Sequence, residues 1–230
     1  MALKIIETPK KTTAWSTKQC IIVAIISLVL GTAIFILAYV GMYQNSGIGG
    51  FNQPILSFII ENRDFNITNV MKIITVITNP LSFAAVIFVI AFIWAVCKRE
   101  IWRPILLAGA MGIATVIFTL LKAFIMNARP AQTNMILPFE LDYSFPSGHT
   151  IGITVFLLVL GYLMCSRHSS GIRSFGWITI TIIGVSIVAT SRLYLGYHWL
   201  TDVFASIGLG LIILAFTIFI DRLVVRRFKN

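Results

Sequence analysis

Six long stretches of this 230-residue chain contain no Lys, Arg, Asp or Glu: residues 19–60, 73–97, 104–121, 150–166, 174–191 and 203–220. That pattern limits the fold more than any other feature. The apolar layer of a bilayer is about 30 Å thick, and a helix rising 1.5 Å per residue needs about 20 residues to cross it. Backbone N–H and C=O groups find no water there, so a segment of this kind has to be a helix that satisfies them internally. Residues are 58% hydrophobic and only 11% charged, which excludes an ordinary soluble domain. The expected fold is all-α, a polytopic membrane protein built as a six-transmembrane-helix bundle. The first run is too long for one span. Gln44, Asn45 and the cluster Gly47, Gly49, Gly50 read as a loop, leaving about 20–42 as the span. Its apolar length exceeds the roughly 7–15 residues of a signal-peptide core, so it is expected to remain a span. Residues 1–18 read as a basic cytoplasmic tail and 19–230 as one domain.

Charge orients the bundle. With the N-terminus inside and loops alternating, inner segments hold thirteen Lys and Arg against three Asp and Glu, a net of +10; outer segments hold five of each. This is the positive-inside asymmetry. Both termini are therefore expected in the cytoplasm, and the basic excess orients the chain rather than binding nucleic acid. Cys20, Cys97 and Cys165 fall at the inner ends of spans and read as free thiols. His168, between Arg167 and Arg173, reads as an inner surface residue.

Local signals refine the spans. Asn79-Pro80 predicts a helix break near the start of the second. Ile55, Phe58 and Ile59 after Pro54 have the spacing of a short amphipathic helix in the first outer loop. In the third span Ala108, Gly109, Ala110, Gly112 and Ala114 are small enough for close helix approach.

Chemistry-bearing residues gather on the outer side. Lys122 ends the third span, His149 starts the fourth, Arg192 ends the fifth and Asp202 starts the sixth. Ionisable residues at span borders are costly and mark function by default. Lys122 and Arg129 are seven apart, about two helical turns, so both can face one site if the helix continues that far. Arg offers a planar fork to phosphate oxygens and Lys a point charge. Ser147 is placed to cap the fourth span, whose free N–H groups would cradle an anion, and Gly148 permits close backbone approach. His198 and Asp202, at i and i+4, would share a helix face. An Asp accepting from Nδ1–H leaves Nε2 free as a nucleophile, and His149 can then protonate a leaving oxygen. Taken singly, each cation could be a snorkelling anchor, and Tyr194, Tyr197 and Trp199 read as an aromatic belt. The combination is what a set of anchors does not explain. Two His and one carboxylate could also bind a metal, but three nearby cations would repel a dication, so no metal or other cofactor is expected.

These residues resemble the three-part signature of the type 2 phosphatidic acid phosphatase (PAP2) superfamily: Lys-x6-Arg-Pro, Pro-Ser-Gly-His and Ser-Arg-x5-His-x3-Asp. Here they read Lys122 to Arg129-Pro130, Pro146-Ser147-Gly148-His149, and Ser191-Arg192 to His198 and Asp202, with no departures. The resemblance implies a metal-independent lipid phosphatase with a phosphohistidine intermediate. His198 would be the nucleophile, Asp202 its orienting partner and His149 the general acid. Lys122, Arg129, Ser147, Gly148, His149 and Arg192 would bind the phosphate. Soluble relatives of the superfamily use vanadate to oxidise halides; six spans disfavour that chemistry. The chain looks most like bacterial enzymes acting on undecaprenyl diphosphate, phosphatidylglycerophosphate or phosphatidic acid, and an outward-facing site favours the first. A lipid phosphotransferase and a non-catalytic lipid carrier are the competing classes. The expected partners are a lipid phosphate and the bilayer itself; nothing in the sequence specifies an oligomeric state.

Overall fold

A computed structural model of the chain describes residues 14–167 and 170–227; His168 and residues 1–13 of the basic tail lie outside the described residues. The described residues form eight α-helices: α1 (Thr17–Gln44), α2 (Asn52–Glu61), α3 (Phe65–Ile77), α4 (Pro80–Lys98), α5 (Trp102–Ile125), α6 (Gly148–Cys165), α7 (Gly171–Tyr194) and α8 (Leu200–Arg227). Among the described residues there is no β-strand. Helices α1, α5, α6, α7 and α8 are long and apolar enough to cross a membrane. The second expected span is divided. Helix α3 ends at Ile77 and α4 begins at Pro80, because proline lacks an N–H and disfavours helical geometry in the residue before it.

Caps set the helix limits. Ser16 Oγ accepts from Gln19 N at 3.2 Å while Gln19 Oε1 accepts from Ser16 N at 2.8 Å, a reciprocal box that starts α1. The spacing that predicted a helix around Ile55–Ile59 corresponds to α2. A second short helix, α3, follows it, started by the Asp64 carboxylate, which accepts from Asn66 N at 2.8 Å and Ile67 N at 3.0 Å.

Helix α6 is the axis of the bundle. In its apolar window 78% of residues are buried, against 17% in α1 and in α7, so α6 meets protein on nearly every side while α1 and α7 turn most of their surface outward. Helices α5, α7 and α8 pack around α6, and α1 lies along α8. The α1–α8 contact is antiparallel and closes on two glycines: a Cβ on Gly31 would lie 2.6 Å from Gly208 O, and one on Gly208 2.7 Å from Gly31 O. The close approach expected from the small residues of α5 is different in kind. Ala110 and Ala114 are buried, but Gly109 and Gly112 have nothing within 4 Å of a built Cβ. They leave space instead of filling a seam.

At the end of the bundle that holds Ser16 and Asp221, charges expected as loop residues are buried and paired. Glu100 is fully buried and meets Arg103 at 3.8 Å and both terminal nitrogens of Arg167. Arg103 in turn donates to Leu163 O and Ser166 Oγ. Asp221 accepts from Tyr162 Oη at 2.5 Å, Trp102 Nε1 at 2.9 Å and Arg222 Nη2 at 2.7 Å. Buried charges persist only when partnered in this way, and here the partners tie α5, α6 and α8 together opposite the functional end.

Candidate active site

Lys122, Arg129, Ser147, His149, Arg192, His198 and Asp202 converge at the other end of the bundle, joined by the loop between α5 and α6. Helix α5 stops at Ile125, because Met126 adopts a left-handed conformation (φ 51°) and its N–H closes on Lys122 O at 3.1 Å. The helix therefore does not continue to Arg129, and the two cations do not meet along one helix face. Lys122 projects from the last turn of α5, Arg129 enters from the loop, and they meet on Asp142. Lys122 Nζ donates to Asp142 Oδ2 at 2.5 Å and Tyr143 O at 2.6 Å; Arg129 donates to Asp142 Oδ1 at 2.5 Å and Asp142 O at 2.7 Å. Burial raises the Asp142 pKa, but the bonds from Lys122 and Arg129 outweigh it and hold the carboxyl below its ordinary value.

His198 lies in the loop between α7 and α8, off the helix it was expected to share with Asp202. The pair forms nonetheless. Asp202 is the third residue of α8, and its Oδ2 reaches back to Trp199 N at 2.8 Å, as a third-position acid does in a capping box. The same oxygen lies 3.2 Å from His198 Nδ1. On the far side of the ring, Nε2 is 3.2 Å from Arg129 Nη1. Arginine can only donate, so the network assigns the proton to Nδ1 and the lone pair to Nε2. Burial, and then the charges of Arg129, Arg192, Lys122 and His149, hold His198 well below the ordinary imidazole value of 6.5. The ring is neutral at physiological pH, with its lone pair on Nε2.

Arg192 is fully buried in the last turn of α7. It donates to Thr75 Oγ1 of α3 at 3.2 Å, pairs with Glu140, and stacks 4.4 Å above the ring centroid of Tyr197. Tyr194 and Tyr197 are thus no lipid-facing belt. Both are buried: the Tyr197 hydroxyl donates to Ile136 O at 2.7 Å, and the Tyr194 hydroxyl accepts from Asp64 N at 2.8 Å. Between them Gly196 holds φ +77°, and a Cβ there would meet Asn134 O at 2.3 Å; only glycine lets the His198 loop pass so close to the α5–α6 loop.

Ser147 caps α6 as expected. It is fully buried, its Oγ accepts from Thr150 N at 3.5 Å and Thr150 Oγ1 at 3.0 Å, and Ser206 Oγ donates to its carbonyl at 3.0 Å. Gly148 follows with the Phe118 ring 3.4 Å from where its Cβ would be. His149 is buried in the first turn. Sequence reasoning missed Thr75, Glu140, Asp142 and Tyr197. One signal does point to the two acids: the five cations expected outside are matched by five acids, with Glu140 and Asp142 in the loop that joins the motifs.

A helical membrane bundle that brings a neutral histidine together with Lys122, Arg129 and Arg192 has the groups that phosphoryl transfer requires. The chain belongs to the PAP2 superfamily, which matches residues 103–224. It is 27% identical over 121 residues to phosphatidylglycerophosphatase B of Bacillus subtilis, a match covering 50% of this chain and 56% of that protein. It is 29% identical over 149 residues to undecaprenyl-diphosphatase BcrC of the same organism, covering 63% of this chain and 72% of the relative. The fold is similar to the crystal structure of a transmembrane PAP2-type phosphatidylglycerolphosphate phosphatase from Bacillus subtilis, with a TM-score of 0.71, 22% identity, and coverage of 84% of this chain and 96% of that one. Aquifex aeolicus LpxE is a more distant structural neighbour, with a TM-score of 0.55, 22% identity, and coverage of 74% and 94%.

Proposed function

We propose that the chain hydrolyses a lipid phosphate or diphosphate at the outer membrane face, without metal, through a phosphohistidine on His198. In this reading the chain crosses the bilayer six times, with α4 as the second span and both termini in the cytoplasm. One observation carries the chemistry. Among the described residues, the only buried side-chain N or O atoms without a hydrogen-bond partner are His149 Nε2 and Arg192 Nε. Buried polar atoms are nearly always paired, and both of these belong to the phosphatase motifs. A bound phosphoryl group supplies the missing acceptors: a non-bridging oxygen for Arg192 and the leaving oxygen for His149.

The steps follow from the positions. Nε2 of His198 attacks phosphorus as the bond to the leaving oxygen breaks, and His149 gives that oxygen a proton. Asp202 stabilises the imidazolium that forms, while Lys122, Arg129 and Arg192, with the N–H groups at the start of α6, hold the three equatorial oxygens. Water, deprotonated by His149, then attacks the phosphohistidine and releases inorganic phosphate.

A lipid fits the surroundings. A cleft of about 320 Å³ between α4, α5 and α6, lined by Phe83, Ile87, Met111, Phe118 and Ile151, runs to Gly148 of the motif. We place undecaprenyl diphosphate first, on the outward-facing reading of the charge asymmetry and on similarity to a relative of that name; phosphatidylglycerophosphate, and then phosphatidic acid, are the alternatives. A panel of these lipids on purified protein, compared by kcat/KM, tests the assignment. Phosphate release without an added acceptor separates a hydrolase from a phosphotransferase. No release from any of them would favour a carrier and defeat the proposal.

A further inference from the structure

The cradle is already filled by an anion of the protein's own. The Glu140 carboxylate bridges the two arginines: Oε1 pairs with Arg192 Nη2, Oε2 lies 2.7 Å from Arg129 Nη2, and the same Oε2 is 4.0 Å from His198 Nε2. A phosphoryl group attacked by Nε2 needs its phosphorus within about 3–3.5 Å of that nitrogen, with its oxygens on those same guanidinium groups. Carboxylate and phosphate thus require one position. They cannot share it, because two anions there would repel at close range in a largely buried site. Glu140 is three-quarters buried but sits on a surface loop in which Leu137, Phe139, Leu141 and Tyr143 are all exposed, so it can leave without unpacking a helix.

We propose that Glu140 determines specificity by occupying the phosphate cradle until an anion of higher charge displaces it. The proposal rests on reading the cradle as a phosphate site. A terminal phosphate carries close to two negative charges at neutral pH and binds three cations more strongly than one carboxylate does. A phosphodiester headgroup carries one charge and gains nothing in the exchange. Surrounded by phosphodiester lipids, a site of three cations without Glu140 would be filled by bystanders; with it, only terminal mono- or diphosphates compete.

Calorimetric titration of the detergent-solubilised protein with inorganic phosphate and with dimethyl phosphate tests this. Glu140→Gln is expected to bind phosphate roughly tenfold more tightly than wild type, the scale of one charge-assisted contact, and to gain more than that for the diester, so that discrimination between the two falls. Glu61→Gln, a charge removal at an exposed site on α2, is expected to change neither. In the wild-type protein, saturating phosphate should increase amide hydrogen exchange across residues 137–143 as the loop loses its anchor. Unchanged or weaker phosphate binding in Glu140→Gln, unchanged discrimination, or added protection of that loop by phosphate would each overturn the proposal. Wild-type turnover of a lipid phosphate, measured alongside, separates the two ideas. Absent turnover with tightened binding defeats the phosphatase reading and keeps Glu140's role, while intact turnover with unchanged binding does the reverse.

Discussion

Arg129 Nη1 stands 3.2 Å from His198 Nε2, on the side of the ring opposite Asp202. An arginine against a histidine nitrogen is unfavourable for an imidazolium and favourable for a neutral ring with its lone pair turned outward. In the proposed mechanism Arg129 would therefore keep the His198 nucleophile unprotonated and also bring the phosphate to it.

Replacing His198 by Ala is expected to lower kcat by several orders of magnitude and to abolish the acid-quenched phosphoenzyme. His149→Ala should slow both phosphorylation and departure of the leaving group while vanadate still binds. Rapid-quench assays with radiolabelled substrate measure both effects. Near-normal turnover in either variant contradicts the assigned roles.

The acid limb of kcat/KM should lie below pH 6.5 once the ionisation of the substrate phosphate is accounted for. In the proposed mechanism His198 acts when neutral, and its pKa is displaced downward, so nucleophilicity should persist as pH falls through the ordinary imidazole range and be lost only at lower pH. Arg129→Gln removes one cause of the displacement and should shift the limb upward, besides weakening phosphate binding. A wild-type limb at or above 6.5 would contradict a depressed His198.

Activity should survive thorough EDTA treatment, because in the proposed mechanism Lys122, Arg129 and Arg192 offset the phosphate charge that a metal would otherwise offset. Phosphate release before and after chelation measures this. Loss of activity restored by Mg²⁺, Mn²⁺ or Zn²⁺ would count against the mechanism.

Glu100→Ala should destabilise the protein by about 3–5 kcal/mol, since it leaves the buried Arg103 without its carboxylate. Denaturant unfolding in detergent, followed by circular dichroism, reads the loss. Little or no change would show that Leu163 O and Ser166 Oγ suffice for Arg103.

Cysteines introduced at Leu137 and Leu141, both well exposed, should react with a membrane-impermeant thiol reagent in intact cells when the native cysteines are replaced by serine. A cysteine at Ser170, at the opposite end, should not. Met135 is buried and is no use as a probe. The reverse pattern would place the chemistry in the cytoplasm.

What could be read without coordinates depends on spacing along the chain. Uncharged runs of bilayer length mark helices because lipid forces each segment to satisfy its own backbone. The break at Pro80 and the cap at Ser147 are legible because each acts within a few residues. The motif residues stand out by type, since charge is rare in such a chain. Relations across loops were not legible. The seven-residue spacing of Lys122 and Arg129 aligns them only if the helix continues, and it stops at Ile125 because a single left-handed residue at Met126 ends it. Tyr194 and Tyr197 have the composition of an interfacial belt, yet they face inward because Asp64 and Ile136 offer them partners.

The sequence by itself determined a helical membrane chain, its charge asymmetry, and which side chains could handle a phosphate. Only the tertiary structure decided that Glu140 sits on Arg129 and Arg192, that Asp142 joins Lys122 to Arg129, and that Glu100 is buried with Arg103 and Arg167. The physical reason is that helix periodicity and capping act over a few neighbouring residues, whereas ion pairs depend on distance in space. Glu140 and Arg192 are 52 positions apart and Glu100 and Arg167 are 67 apart, separations that only the packing of whole helices can close.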